Sequence, residues 1–544
     1  MQTQLKKSFF LRIRYSVVLF FSLTLSLAVR AQQIDWAVYD TSNYAFNPSY
    51  PAVPITVDAN GNVYSSWLLE HGLIFGQQLF GTQMISCFSS QGNTRFRHLL
   101  GPNAEVTAIQ KLPNGETAIV GSFMDSLCLN GTSLLNVNGP ALYTRNAFIL
   151  YLDSTGDFLR ARNLTLSYPD LEEPFVTTLD HSGNLWFAYF SWNSAYAVCL
   201  NTIGQDSVVR DVSGLQANLG DFVVDAAGAL YFTGGIGSGT VNFGGLSVSI
   251  TPTYNSFLAK MDVAGNGQWF TTIPDITFQF PRINVAGNEI YFSRPLFDSV
   301  TVGGFHLNGP QWVNDLLTVK YDTAGNIIWA HDIPDQPTIT GDLSCTNGKY
   351  LTMDGSGGYY QLFEYRGQVD LGNTIVVGAP GTSTSRGASL VYFDGNGVPQ
   401  SHLDIPGVNG LFPFSVVSLY PTDGFISGTA RGGVQLGSTV VITPDPFDFI
   451  SWTAKFSRTS TGLLEISDLT PRIFPNPSSG AILYFSKQLN PGIVTITDTQ
   501  GKVIREISLD TPTDKLELGL SQGVYILSYE SERLHFSQRL FVVR

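Results

Sequence analysis

Gly519-Leu-Ser-Gln-Gly523 has the spacing of a hydrolase nucleophile elbow, in which Ser521 would attack an acyl carbon. That chemistry needs the serine on a sharp turn from a parallel strand into a helix. Here the segment lies between short β-forming runs, and no nucleophile role is expected. Seven turn aspartates (Asp58, Asp153, Asp180, Asp225, Asp262, Asp322 and Asp394) could offer oxygen to calcium. Calcium requires about six to eight oxygens converging on one point, and one carboxylate per separated turn does not supply them. The seven histidines occur singly, without the spacing or cysteine partners of a zinc site. A glycosidase would need two carboxylates facing each other across a cleft. The acids of "LEE" (171–173) and "DPFD" (445–448) could supply them, although solvated loop charge explains both. Trp67, Trp186, Trp269 and Trp329 read as packing residues. Trp192 and Trp312 stand outside the repeated pattern and are the candidates for stacking on a sugar. No catalytic residue, metal or cofactor is assigned.

The elements that would carry such groups are β-strands. Gly (54) and aromatics (12%) are plentiful, only 13% of residues are charged, and no long 3.6-residue apolar period occurs. The interior repeats one phrase, an apolar run, Asp-x-x-Gly and a second apolar run, which encodes a tight hairpin. Two variants alternate. One, such as "FVVDAAGALYFTGG" (222–235), falls around Gly61, Gly115, Gly183, Gly228, Gly287, Gly348 and Gly424. The other, such as "FLAKMDVAGNGQWF" (257–270), falls around Gly92, Gly156, Gly204, Gly265, Gly325 and Gly397, with a degenerate copy at 449–462. The mean period is about 60 residues, and two hairpins per period give the four strands of a propeller blade. Gly-rich segments such as 239–250, 298–309 and 432–442 recur between the hairpins as a loop or extra ribbon. The third unit is shortened and lacks one. The expected fold is all-β: a seven-bladed propeller, with six to eight blades allowed, over residues 32–456.

Residues 1–31 differ from the rest. Lys6, Lys7, Arg12 and Arg14 precede the short apolar core 17–29, and "VRA" (29–31) precedes Gln32. This is the plan of a signal peptide, cleaved between Ala31 and Gln32, and it is too short for a membrane span. Its removal takes away five basic side chains and no acid, leaving 25 basic against 43 acidic and a net charge of −18. Such a balance disfavours nucleic acid as a partner. Cys87, Cys128, Cys199 and Cys345 are too few for a disulfide framework. Cys87 and Cys199 each precede a turn glycine by five residues, so they occupy equivalent repeat positions and are expected as free thiols.

The degenerate seventh unit has a third strand but no tryptophan-bearing fourth. Trp36-Ala37 stands as Trp329-Ala330 stands in the fifth unit, so residues 32–40 are expected to close the ring as the last blade's outer strand.

"GTVNFGG", "NSFLAKMDVAGNGQW" and "VNDLLTVKYDTAGNIIWA" resemble the propeller repeats of bacterial extracellular proteins known as SBBP repeats. After a polar linker (457–471), residues 472–544 read as a small antiparallel sandwich of Ig-like size. Their blocks are Pro475-Asn476-Pro477 with Gly480, the Asp498, Gly501 and Lys502 hairpin, Gly523 with Tyr525, and the basic end at Arg544. Together they resemble the type A C-terminal sorting domain of proteins exported by the type IX (Por) secretion system. The resemblance implies passage through the periplasm and outer membrane, engagement of that machinery, and release or retention at the cell surface. Asp-Ser/Thr motifs at Ser126, Ser154, Ser207, Ser299 and Thr323 resemble the O-glycosylation motif of Bacteroidetes. The resulting expectation is a non-enzymatic binding or adhesion module for extracellular glycan or protein. A polysaccharide-active enzyme using loop carboxylates, or a structural coat protein, stands as the alternative.

Overall fold

The computed structural model describes residues 31–40, 53–459 and 473–542, apart from the segments 69–71, 75–76, 80–82, 102–103, 137–144, 169–174, 191–194, 202, 216, 275–280, 310–313, 334–341, 346–347, 374, 379–385, 408–409, 444–447, 475–481, 490, 499–501 and 532–534. The chain divides into two compact units, residues 1–461 and 462–544. Among the described residues the fold is all-β, with one short 3-10 turn at Ser213–Leu215.

The first unit contains seven successive antiparallel sheets among its described residues. The first has Ile55–Val57, Val63–Leu68, Gln83–Phe88 and Thr94–Leu100; the second has Ala104–Lys111, Thr117–Phe123, Asn146–Leu152 and Phe158–Asn163. The third has Phe175–Leu179, Leu185–Phe190, Ala195–Leu200 and Asp206–Asp211; the fourth has Ala217–Val224, Leu230–Phe243, Leu246–Met261 and Gly267–Pro274. The fifth has Arg282–Ala286, Glu289–Leu296, Asp315–Asp322 and Ile327–Ile333. In the sixth, Asp342–Ser344 and Leu351–Met353 together form the first position, followed by Tyr359–Arg366, Arg386–Phe393 and Pro399–Pro406. The seventh joins Leu411–Tyr420, Asp423–Arg431 and Phe449–Thr459 to Ala31–Asp40, which pairs antiparallel with Phe449–Thr459. That pairing carries the strand past residue 456 to Thr459, opposite Ala31. The first strand of every sheet touches the first strand of the next, and that of the seventh touches that of the first.

Turn chemistry sets these hairpins. In the Asp322 turn, the carboxylate accepts the backbone N–H groups of Ala324 and Asn326 at 2.9 and 2.8 Å, and Gly325 takes φ +88°. All seven aspartates named from the sequence accept backbone hydrogens in this manner. Two assignments are corrected. Gly424 lies within Asp423–Arg431, paired with Ser418, and does not take positive φ. Gly348 is not a turn glycine; the first turn of the sixth sheet runs from Asp354 to Gly358, with Gly357 at φ +101°. Gly348 is required for a different reason, because a Cβ there would lie 1.7 Å from the carbonyl oxygen of Phe414.

The second and third strands are buried on both faces, as in Thr117–Phe123 and Asn146–Leu152. Apolar clusters fill the spaces between adjacent sheets. The Gly-rich segments are two-stranded ribbons that wedge between successive outer strands. Val300–Val302 touches Gly267–Pro274 of the preceding sheet, while Phe305–Leu307 touches Ile327–Ile333 of its own. Their alternation buries Val300, Val302 and Leu307 and exposes Thr301, Phe305 and His306. Among its described residues the third sheet has no such ribbon, and Leu164 and Tyr168 of the preceding connection join the core between the second and third sheets.

In the second unit, Ile473–Phe474, Ile482–Leu489 and Thr513–Glu517 form one sheet. Val503–Leu509, Gly492–Asp498, Gly523–Glu530 and His535–Val542 form another. The two share one core that includes Leu483, Phe485, Val494, Ile496, Leu527 and Leu540.

Candidate functional site

Antiparallel order places every first-to-second and third-to-fourth turn at one end of the seven sheets. The second-to-third and fourth-to-first connections fall at the other. The tryptophans at the turn end are committed to structure. Trp269 donates its indole N–H to the Thr323 carbonyl at 3.1 Å, and Trp329 donates to Gly395 at 3.2 Å. Each ring lies against the next sheet's turn glycine, so a Cβ at Gly325 would meet Trp269 at 2.9 Å. Trp36 repeats this across the two ends of the chain. It donates to the Ser90 carbonyl at 2.9 Å and lies against Gly92, and Trp36↔Lys455 is the counterpart of Trp329↔Lys320.

The strand position of Lys455 recurs. Lys260 and Lys320 sit over Tyr231 and Tyr291 and donate to the Thr323 and Gly395 carbonyls. Cys87 and Cys199 hold the same place in the first and third sheets, opposite Tyr64 and Trp186. The cysteines are free thiols, and burial pushes the Cys87 thiol up to about 11. Lys455 instead lies 3.4 Å from Asp35 and 3.7 Å from Asp423, tying Ala31–Asp40 to its sheet. Gln32 is buried, and its amide donates to the Ser401 carbonyl and hydroxyl.

Inner strands leave one edge unpaired, so their carbonyls need other donors. Side chains provide them. Gln110 donates to the carbonyl and hydroxyl of Thr177, Asn284 to Leu351, and buried Arg282 to Gly348 and Gly220. Lys349, exposed on the sixth sheet, reaches Thr177 of the third at 3.2 Å. The Asp221 carboxylate accepts the N–H groups of Phe222 and Ile283. This centre is a polar brace whose functional groups mostly cap one another. Glu105 beside it is driven toward its neutral form by burial, against the pull of Arg145.

Of the proposed glycosylation positions, Ser154, Ser207 and Ser299 stand exposed. Ser207 donates its hydroxyl to the Cys199 carbonyl, Ser126 lies 3.6 Å from the Cys128 sulfur, and Thr323 is half-buried with its carbonyl taken by Lys260 and Trp269. The structure does not bring these five together. Trp192, Trp312, the acids of 171–173 and 445–447, Pro475, Asn476, Pro477, Gly480, Gly501 and Arg544 lie outside the described residues, as do residues 1–30 of the leader. Among the described residues no group of three or more His, Cys, Asp or Glu side chains is placed to hold a metal, and no helix is long and apolar enough to cross a membrane.

In the second unit, Asp498 accepts the Lys502 N–H at 3.0 Å across a hairpin turn and pairs in register with Tyr525. The Tyr525 hydroxyl donates to the Ser521 carbonyl at 3.0 Å, so Ser521 belongs to the β setting. Sequence reasoning missed the Lys/Tyr/carbonyl nodes and the Lys349 brace, although "FLAK", "LTVK" and "WTAK" at one strand position signalled the nodes.

Residues 472–543 match the family described as the secretion system C-terminal sorting domain. The C-terminal part of the chain is thus a sorting domain of the kind carried by proteins sent out through type IX secretion. That domain implies export, engagement of the secretion machinery and a secreted or cell-surface location. No curated protein matches the chain. Among solved structures it is similar to Drosophila semaphorin 1b extracellular domains 1–2, at 8% identity over 79% of this chain and 88% of that one, with TM-score 0.38. A DUF4221 protein of Bacteroides vulgatus is similar at 10% identity over 79% and 99%, with TM-score 0.31. PorZ of Porphyromonas gingivalis, a surface component of the type IX system, is similar at 10% identity over 94% and 100%, with TM-score 0.15. Likeness this distant carries no ligand, site or blade count from one chain to another.

Proposed function

We propose that this is an exported β-propeller protein that binds an extracellular glycan or protein, delivered by type IX secretion. The sorting-domain match over residues 472–543 carries the delivery part of the reading. The ring of contacts between first strands supports a seven-bladed propeller, and Trp36 on Ser90 and Gly92 supports closure by residues 32–40. SBBP-like blades, a type A sorting domain of Ig-like shape, cleavage after Ala31 and O-glycosylation at exposed Ser154, Ser207 and Ser299 belong to the same reading. Binding is assigned to the ribbons of the outer rim and the long connections, because the tight turns spend their donors and acceptors on their own hairpins.

The test uses purified residues 32–460 on a panel of extracellular polysaccharides, recording retention and release of reducing ends in the same samples. Retention without new reducing ends supports the binding module and identifies its ligand class. New reducing ends overturn it in favour of an enzyme. Neither result moves the reading to a protein ligand or a coat role.

A further inference from the structure

We propose that the exposed apolar end of the four-stranded sheet in the second unit, centred on Val503, Val524 and Ile526, is the surface read by a protein component of the export machinery. This rests on the sorting reading of residues 472–543 and specifies where that domain is recognised.

The register defines the patch. Val503 pairs with Thr497, and Thr497 pairs on its other side with Ile526, so the three form one cross-strand row, which the register continues to Arg539 on the last strand while Val524 pairs with Phe541. Val524 stands two residues from Ile526 on the same face, since strand residues alternate between faces. The opposite face holds Val494, Ile496, Tyr525 and Leu527, all buried in the shared core. Val503 is 53% exposed, Val524 40% and Ile504, on the edge strand beside them, 44%. The far end of the same face is mostly polar, with Thr495 flanked by Glu506 and Ser528, and Ile493 set between Ser508 and Glu530.

The family match is to a secretion system sorting domain, and the marking residues that are described, Asp498, Lys502, Gly523 and Tyr525, lie at the apolar end. Asp498 and Lys502 form the turn that leads into Val503, and Gly523 and Tyr525 flank Val524. Tyr525 and Asp498 act inward, on the Ser521 carbonyl and the Lys502 N–H. The motif therefore shapes the end of the sheet, and the β-branched side chains beside it remain free to meet a partner. A flat apolar strip with a cation, Lys502, at its border suits an apolar protein surface with an acidic rim.

The experiment follows the full chain in a bacterium that runs this secretion system, measuring exported against periplasmic protein. Val503→Glu and Val524→Glu are compared with Thr495→Glu and Ser528→Glu at the polar end, and each purified full-length variant is checked by thermal melting. Export is expected to fall at least tenfold for the apolar-end variants and to stay within twofold for the polar-end pair. Wild-type export of Val503→Glu and Val524→Glu, or an equal fall in the controls, overturns the proposal. If the glutamate variants melt early, the double variant Val503→Thr with Val524→Thr keeps the shape and removes the apolar surface; a several-fold loss of export with unchanged melting supports the proposal, and full export overturns it. Binding of the full chain to outer-membrane lipid vesicles that is lost in Val503→Glu would assign the patch to lipid and overturn the protein partner. Deleting residues 472–543 separates the two readings: unchanged export defeats the sorting reading, while blocked export with normal face variants defeats the patch alone.

Discussion

Trp36→Ala should loosen the seam between the two ends of the first unit by about 3 kcal/mol. The indole donates one hydrogen bond to the Ser90 carbonyl, worth about 1 kcal/mol net. Its ring meets Phe425 at 5.7 Å and Phe88 at 6.5 Å in tilted geometry, adding about 1 kcal/mol. The half-buried indole keeps roughly 100 Å² of apolar surface from water, worth about 2 kcal/mol after the retained Cβ is discounted. These overlapping contributions sum to about 4 kcal/mol, inside the range of about 3–5 kcal/mol for truncating a buried tryptophan, and collapse of neighbours into the vacated space brings the expected loss to about 3 kcal/mol. Ala31–Asp40 is a strand held by pairing on one side, so the loss should appear as local opening. Hydrogen exchange should accelerate roughly a hundredfold at the amides of 451–459 bonded to that strand, 3 kcal/mol being about two decades. Trp269→Ala removes equivalent contacts from a sheet whose strands are continuous, and should leave exchange at 451–459 unchanged. Equal exchange in the wild-type and Trp36→Ala chains would refute the account of the seam.

The turn aspartates predict acid sensitivity. Hydrogen bonds from Thr155, Asn266 and Asn326 hold Asp153, Asp262 and Asp322 below their ordinary value of 3.8. A depressed carboxylate contributes stability above that value and loses it as pH falls through its folded pKa. Unfolding midpoints should therefore drop below pH 3.8, and the triple Asp→Asn variant should show a shallower drop. Gly348→Ala should destabilise by about 3 kcal/mol in denaturant titration, because backbone oxygen cannot move aside as a side chain can. Lys349→Met should change stability by less than about 1 kcal/mol, its amine being exposed and its partner a single carbonyl. A larger loss would make the brace essential to the first unit.

The sheets were legible because their turns have local chemistry: an aspartate that caps N–H groups and a glycine at positive φ announce themselves within five residues. Gly348 was misread because a glycine kept for close approach to Phe414 looks in sequence like one kept for a turn. Only the distance to a residue 66 positions away separates the two cases. The lysine position opposite Tyr231 and Tyr291 was visible as a recurrence, but its purpose was not, since its acceptor lies in the following sheet. The same limit hid the brace, where Lys349 meets Thr177 across 172 residues.

These long-range contacts also explain why the candidate site is hard to read. Gln110, Asn284, Arg282 and Lys349 look like ligand-binding side chains by type, yet each serves a carbonyl left open by an inner strand. Repetition makes such service necessary from sheet to sheet, so these polar residues at the inner edges are accounted for by the packing of the sheets. The ribbons are different. Each buries one face as a wedge and presents the other, and their outward residues vary from Thr301, Phe305 and His306 to Val440 and Ile442. Variation on a repeated scaffold, along the outer rim between neighbouring sheets, is where specificity has room to reside. Replacing Phe305 and His306 together by alanine should therefore leave the unfolding midpoint within about 0.5 kcal/mol of wild type while weakening retention on whichever polymer the chain recognises. Loss of stability without loss of retention would return the ribbons to a purely structural role.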